Sequence, residues 1–262
     1  MHTEIARLDL SNRRRSLIGY CLGMAVYALV VVAMYPAFKT STSLDKLIQS
    51  DSTAAALFGV TGSISSSAGW LSGNIYANFL PLIMLLLTIG YGAACLAGQD
   101  EDGTLALLAV LPVRRAAIVM QKAATMAAQA AVLAVTVAVL VIIGRSFQLD
   151  VTVANVASVS AAVALMGLDF GLVTMAAGAL TGRRGAAIGA GTAIAAASYL
   201  VSSLAPVVRW IQPGRFASLF YWSVGNSQIS QGVTAGDYAV LIVTGLCALA
   251  VAMLAFRRLD IH

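Results

Sequence analysis

Histidine is missing from the body of this sequence, its two copies being His2 and His262. An imidazole-based triad, an HExxH zinc site or a haem ligand within the chain is therefore unsupported. Cysteine is almost as scarce. Cys21, Cys95 and Cys247 each fall inside an apolar block, without CxxC spacing, so neither a disulfide framework nor a cysteine metal site is implied. No GxxxxGK(S/T) loop occurs, and the chain does not hold nucleotide phosphates by that device. Charge is the most telling deficit. Charged residues make up 10% of the chain, against about 25% in an ordinary soluble domain. A water-soluble surface cannot be assembled from so few.

What is present is apolar, 60% of 262 residues, and it comes in long unbroken blocks rather than in the three-or-four-residue alternation of a soluble helix. A bilayer core of about 30 Å needs about 20 apolar residues as a helix. Charge-free stretches near that length run from Leu17 to Phe38, Ile75 to Ala97, Ala123 to Gly144, Gly185 to Val208 and Tyr238 to Phe256. A sixth, Val156 to Leu180, is interrupted by Asp169 alone. The expected fold is all-α: one six-helix transmembrane domain over 17–256, preceded by an amphipathic N-terminal segment, 1–16, and followed by a short tail, 257–262.

Sixteen Lys and Arg against eleven Asp and Glu leave a net charge of +5. These charges cluster at the ends of the apolar blocks, which points to topology and not to nucleic acid. With the N-terminus placed in the cytoplasm, the inner segments hold eleven basic residues, among them Arg13, Arg14, Arg15, Arg114, Arg183 and Arg257, and the outer ones five. That bias matches an even number of spans with both termini inside. Trp70, Trp210 and Trp222 all fall on the outer side, where an aromatic belt is expected. Arg13 to Arg15 ahead of an apolar run also fits a secretory or twin-arginine signal. The run is longer than such a signal's core and five more spans follow, so it reads as a retained first helix. The aromatic outer stretch from Arg209 to Asp237 is expected either to carry a short interfacial helix or to be a solvated loop.

The inner loop from Gln99 to Lys122, QDEDGTLALLAVLPVRRAAIVMQK, is the most informative stretch. Asp100, Glu101 and Asp102 before Gly103 and Thr104 place acid and a hydroxyl cap where a helix start is stabilised by both. Leu105, Leu107, Leu108 and Leu111 supply an apolar face, Pro112 ends the helix, and Arg114 and Arg115 mark the return to the membrane. The residues alone leave two readings open: a capped helix resting on the inner leaflet, or a docking helix that passes a partner's movement into the bundle.

An acidic residue, Gly-Thr, a Leu-rich turn, then Pro and Arg, set between the second and third of six spans, resembles the inner loop of type-2 ATP-binding-cassette (ABC) permeases. The resemblance extends over the whole chain: a charged segment before the first span, a long first external loop, an Arg-Arg turn between spans four and five, and an aromatic loop before span six. It implies that the loop is a coupling helix seated on a cytosolic ABC ATPase, with Glu101, Gly103, Thr104, Leu107, Leu108, Pro112 and Arg114 making or shaping the contact. It also implies two ATPase copies carrying the ATP and Mg, and a second permease half, identical or homologous. The setting it implies is a bacterial inner membrane, with lipids as further partners and no cofactor in this chain.

Asp169 stands out because an ionised carboxylate at a helix centre costs about 2.5–3.5 kcal/mol on insertion scales. It is expected to face the bundle interior, as a structural polar contact or as part of a substrate pathway. Gly167 and Gly171 flank it in a GxxxG spacing that recurs at Gly19 and Gly23 and at Gly185 and Gly189. Such pairs let helices approach closely, within a subunit or between subunits. The function expected is export of a drug-like, antibiotic, peptide or lipid-type substrate by a permease that is not itself an enzyme. A proton-coupled transporter using Asp169 and a non-transporting scaffold are the alternatives.

Overall fold

The computed structural model describes residues 4–39, 66–105, 114–225 and 228–258. Six helices are long and apolar enough to cross a membrane, and among the described residues there is no strand. The first, α1, is a single 35-residue helix, Glu4–Phe38. No glycine or proline separates residues 4–16 from the first apolar run, and the helix passes through both without a break.

The second, α2, spans Ser67–Glu101 and is not a uniform α-helix. Two π-helical turns, Ser72–Tyr76 and Ala94–Gly98, interrupt it. In the first, Ala77 N–H donates to the Ser72 carbonyl at 2.8 Å and the Asn78 side chain donates to the Gly73 carbonyl at 2.9 Å, shortly before Pro81, which has no N–H of its own to give. Then follow α3, Arg115–Ile143, α4, Val153–Thr181, α5, Arg184–Leu204, and α6, Ala235–Arg258. A reciprocal cap opens α6: Thr234 N–H donates to Asp237 Oδ2 at 2.9 Å and Asp237 N–H to Thr234 Oγ1 at 3.3 Å.

α4 is apolar on every side and is the central helix, packed against α2, α3, α5 and α6. α1 lies outside it, against α3. α5 is peripheral: along its length only Ala187, Gly191 and Ala195 are buried. One end of the bundle carries Arg13, Arg114, Arg183, Arg184 and Arg257, and is called here the basic end. The other carries the tryptophans.

At that aromatic end, Trp70 departs from the expected belt. It is buried, stacks on Phe38 with ring centroids 5.3 Å apart, and donates Nε1–H to the Val31 carbonyl at 3.0 Å. Trp210 alone of the three is widely exposed, at 81%. The stretch before α6 is folded back on the bundle through short helices at Gln212–Ala217, Leu219–Ser223 and Gln228–Gln231. Ser198 and Ser218 pin it: Ser218 Oγ donates to the Ser198 carbonyl at 2.7 Å, and Leu219 N–H to Ser198 Oγ at 3.1 Å.

Candidate functional site: the loop after the second span and the groove beside it

The start of the loop after α2 is built differently from its sequence expectation. α2 continues to Glu101, and the turn at Asp102 and Gly103 follows, with Gly103 at φ +69°, a left-handed backbone that glycine adopts without strain. Asp100 and Glu101 thus stand in the last turn of α2, not the first turn of the next helix. Acidic charge is disfavoured there by the helix dipole, and Glu101 escapes by reaching sideways. Its Oε1 accepts the backbone N–H of Arg184, the first residue of α5, at 2.9 Å.

Thr104 likewise faces backwards, donating its hydroxyl to the Gln99 carbonyl at 3.2 Å and so closing the end of α2. Thr104 and the buried Leu105 are helical as the described chain ends. Leu107, Leu108 and Pro112 lie outside the described residues. Arg114 is exposed, with the extended backbone of an N-cap before α3. Arg115 reaches across the basic end to donate to the Phe256 carbonyl at 3.2 Å.

A second polar cluster at the basic end escaped sequence reasoning. Lys122 Nζ, fully buried, lies 2.9 Å from Asp9 Oδ2, and Tyr91 donates its hydroxyl to the same oxygen at 2.8 Å. Arg13 covers the Tyr91 ring at 4.9 Å from its centroid. The cluster joins α1, α2 and α3. A signal for it exists: Lys122 falls on the helical stripe of Ile118, Met126 and Leu133, all buried. A lysine on a buried stripe calls for an acid.

Between α2 and α5 runs an apolar groove of about 520 Å³. Pro81, Leu82, Leu86 and Ile89 line one wall, Ile188, Thr192, Ala195 and Ala196 the other, and Phe220 closes it towards the aromatic end. At that end Tyr199 on α5 donates its hydroxyl to Asn78 Oδ1 on α2 at 3.1 Å. The two walls are therefore bonded to each other at one end of the groove, by Tyr199 and Asn78, which help to line it, and again beyond the other end, by Glu101 and Arg184.

Asp169 does not line this groove. It is 1% exposed and packs against α6, where the missing side chain of Gly245 makes room for Oδ1. Its Oδ2 has no hydrogen-bond partner. The three glycine pairs also separate. Gly167 and Gly171 are internal: a Cβ on Gly167 would strike Met84, and one on Gly171 would strike Met126 and Thr88. Gly19, Gly23, Gly185 and Gly189 have nothing within 4 Å of where a Cβ would stand. Among the described residues no group of three His, Cys, Asp or Glu could hold a metal ion.

The described residues thus form six apolar helices with an apolar groove between the second and the fifth. The sequence model of a family described as ABC-2 family transporter protein matches residues 3–261. The chain belongs to the ABC-2 transporter family. No curated protein matches the chain. Membership in the ABC-2 family, together with six candidate spans, makes it a multi-pass membrane protein of the permease kind. ABC-2 permeases are in general the non-enzymatic membrane component of their transporters.

Proposed function

We propose that this ABC-2 chain is the transmembrane half of an ATP-driven exporter, with the basic end in the cytoplasm and the loop after α2 docked on a separate ABC ATPase. The observation that carries the reading is the continuity of α2. The same helix forms one wall of the groove and runs without a gap into the loop, so a partner holding the loop holds a groove wall. ATP and Mg reside on the ATPase, present in two copies. A second permease half closes the pathway, and the open glycine pairs on α1 and α5 are where backbones of two halves approach.

The groove's chemistry supports an apolar or amphipathic cargo. Its volume is of the order used by drug-sized ligands, and its few polar lining groups include Asn78, Thr192 and Tyr199. That suits drug-like, antibiotic, apolar peptide or lipid-type molecules. The basic arginines at one end support the orientation, since cytoplasmic flanks are enriched in Lys and Arg. Docking is tested by co-purifying the tagged chain with its P-loop ATPase from a bacterial inner membrane. Wild type retains the ATPase and Leu108→Asp, still inserted, loses it; recovery of equal ATPase with both removes the docking reading.

One observation favours a second reading. Asp169, deeply buried with an unpartnered oxygen, is the arrangement a proton-coupled transporter would use. Such a protein would transport without any ATPase and fail as Asp169→Asn.

A further inference from the structure

The hydrogen bond from Arg184 N–H to Glu101 joins the root of the docking loop to a helix on the far side of the groove. We infer that Glu101 is a positioning residue that carries movement of the loop into α5, so that the groove changes width when the loop is displaced. This rests on the docking reading above and adds the part through which docking acts.

Three features of the structure support it. The first N–H groups of any helix lack internal partners, and Arg183, at the N-cap of α5, supplies no side-chain cap. Glu101 supplies it from another element, with a negative charge suited to the helix start. Next, near its start α5 is otherwise held by small contacts. Its buried residues are Ala187, Gly191 and Ala195; Thr174 of α4 packs into the space that Gly191 leaves, about a turn beyond Ala187, and Ser198 joins α5 to the stretch before α6 towards its other end. Gly178 of α4 faces Ala187 and Ala97, a smooth contact among the three helices just inside the Glu101 bond. Finally, Glu101 stands two residues before the left-handed turn at Gly103, where the chain changes direction into the loop. A shift of the loop must therefore move Glu101, and Glu101 holds α5 by its end. At the other end Tyr199 remains bonded to Asn78, which gives the helix a point about which to tilt.

The donor can be removed without touching Glu101. Arg184 is the first residue of α5, a position that accepts proline, and Arg183 already has the extended backbone, φ −123° and ψ 119°, that a following proline requires. Arg184→Pro deletes the N–H; Arg184→Ala keeps it and serves as the control. From the acceptor side, Glu101→Ala deletes the oxygen and Glu101→Gln keeps one.

The experiment places nitroxide labels on Leu86→Cys and Thr192→Cys, across the groove, with the three native cysteines replaced. Distances are measured by pulsed electron resonance on the complex with its ATPase in lipid nanodiscs, nucleotide-free and with MgATP and vanadate. Wild type, Glu101→Gln and Arg184→Ala are expected to show a nucleotide-dependent shift in distance. Glu101→Ala and Arg184→Pro are expected to co-purify with the ATPase yet lose that shift. A shift preserved in both overturns the inference and leaves docking standing. Failure of Glu101→Ala to co-purify, or equal loss in Glu101→Gln, makes Glu101 a charged contact to the ATPase and also overturns it. A wild-type complex without any shift overturns this inference and leaves docking standing, whereas no complex at all overturns the docking reading and this inference together.

Discussion

Lys122 is fully buried, and its ammonium lies 2.9 Å from Asp9, 113 residues earlier in the chain. The pair closes the basic end of the bundle between α1 and α3, with Tyr91 of α2 as a third member. Removing one partner of a buried pair leaves the other charge uncompensated. Lys122→Met should therefore destabilise the detergent-solubilised protein by about 3 kcal/mol, the low end of the usual range because Asp9 is 13% exposed. The double variant Lys122→Met with Asp9→Leu should recover most of the loss, as read by thermal unfolding. Tyr91→Phe removes one charged-group hydrogen bond and should lower stability by about 1.5 kcal/mol.

Packed and open glycines make opposite predictions. Gly92 lies against the Gly171 carbonyl, with no space for a Cβ, so Gly92→Ala must push α2 from α4 and should reduce the yield of folded protein. Gly189→Ala meets nothing and should leave thermal stability within about 0.5 kcal/mol. If α5 faces a second permease half, Gly189→Leu should preserve monomer stability while shifting the complex to smaller species on size-exclusion chromatography with light scattering.

Asp169 decides between energy sources. The ATP-driven reading expects Asp169→Asn, which keeps the shape of the contact with Gly245, to export at the wild-type rate across pH in proteoliposomes. Loss of transport in that variant, with wild-type transport that needs no ATPase, would establish proton coupling instead.

Tyr199→Phe deletes the bond to Asn78 Oδ1 while keeping the ring against Phe220, with which it makes an edge contact at 5.3 Å. Such a bond contributes about 1 kcal/mol. The variant should broaden the nucleotide-free distance distribution across the groove, measured with the labels described above.

The spans were legible because lipid demands long apolar runs, and a charge-free stretch of about 20 residues admits few other readings. Their ends were less so. Lys122 looked like a flank marking the start of the third span, but α3 runs on through it to Arg115 because Asp9 satisfies its charge within the bundle. The acidic run Asp100 to Asp102 looked like a helix start. It ends α2, since Glu101 caps a helix that begins 83 residues later, a partner that no local pattern could display. The groove had no sequence signal of its own. It arises from the small side chains of α5, which on paper resemble any other alanine-rich span, and from their placement beside the leucines of α2.

The central claim is that this ABC-2 permease is moved by a separate ATPase through the loop after α2. Its most direct test is the rate of ATP hydrolysis by the P-loop ATPase in nanodiscs, measured alone, with the wild-type chain and with Leu108→Asp. The account predicts a rate raised by the wild-type chain and left at the ATPase-alone value by Leu108→Asp. Equal rates in all three preparations would contradict it.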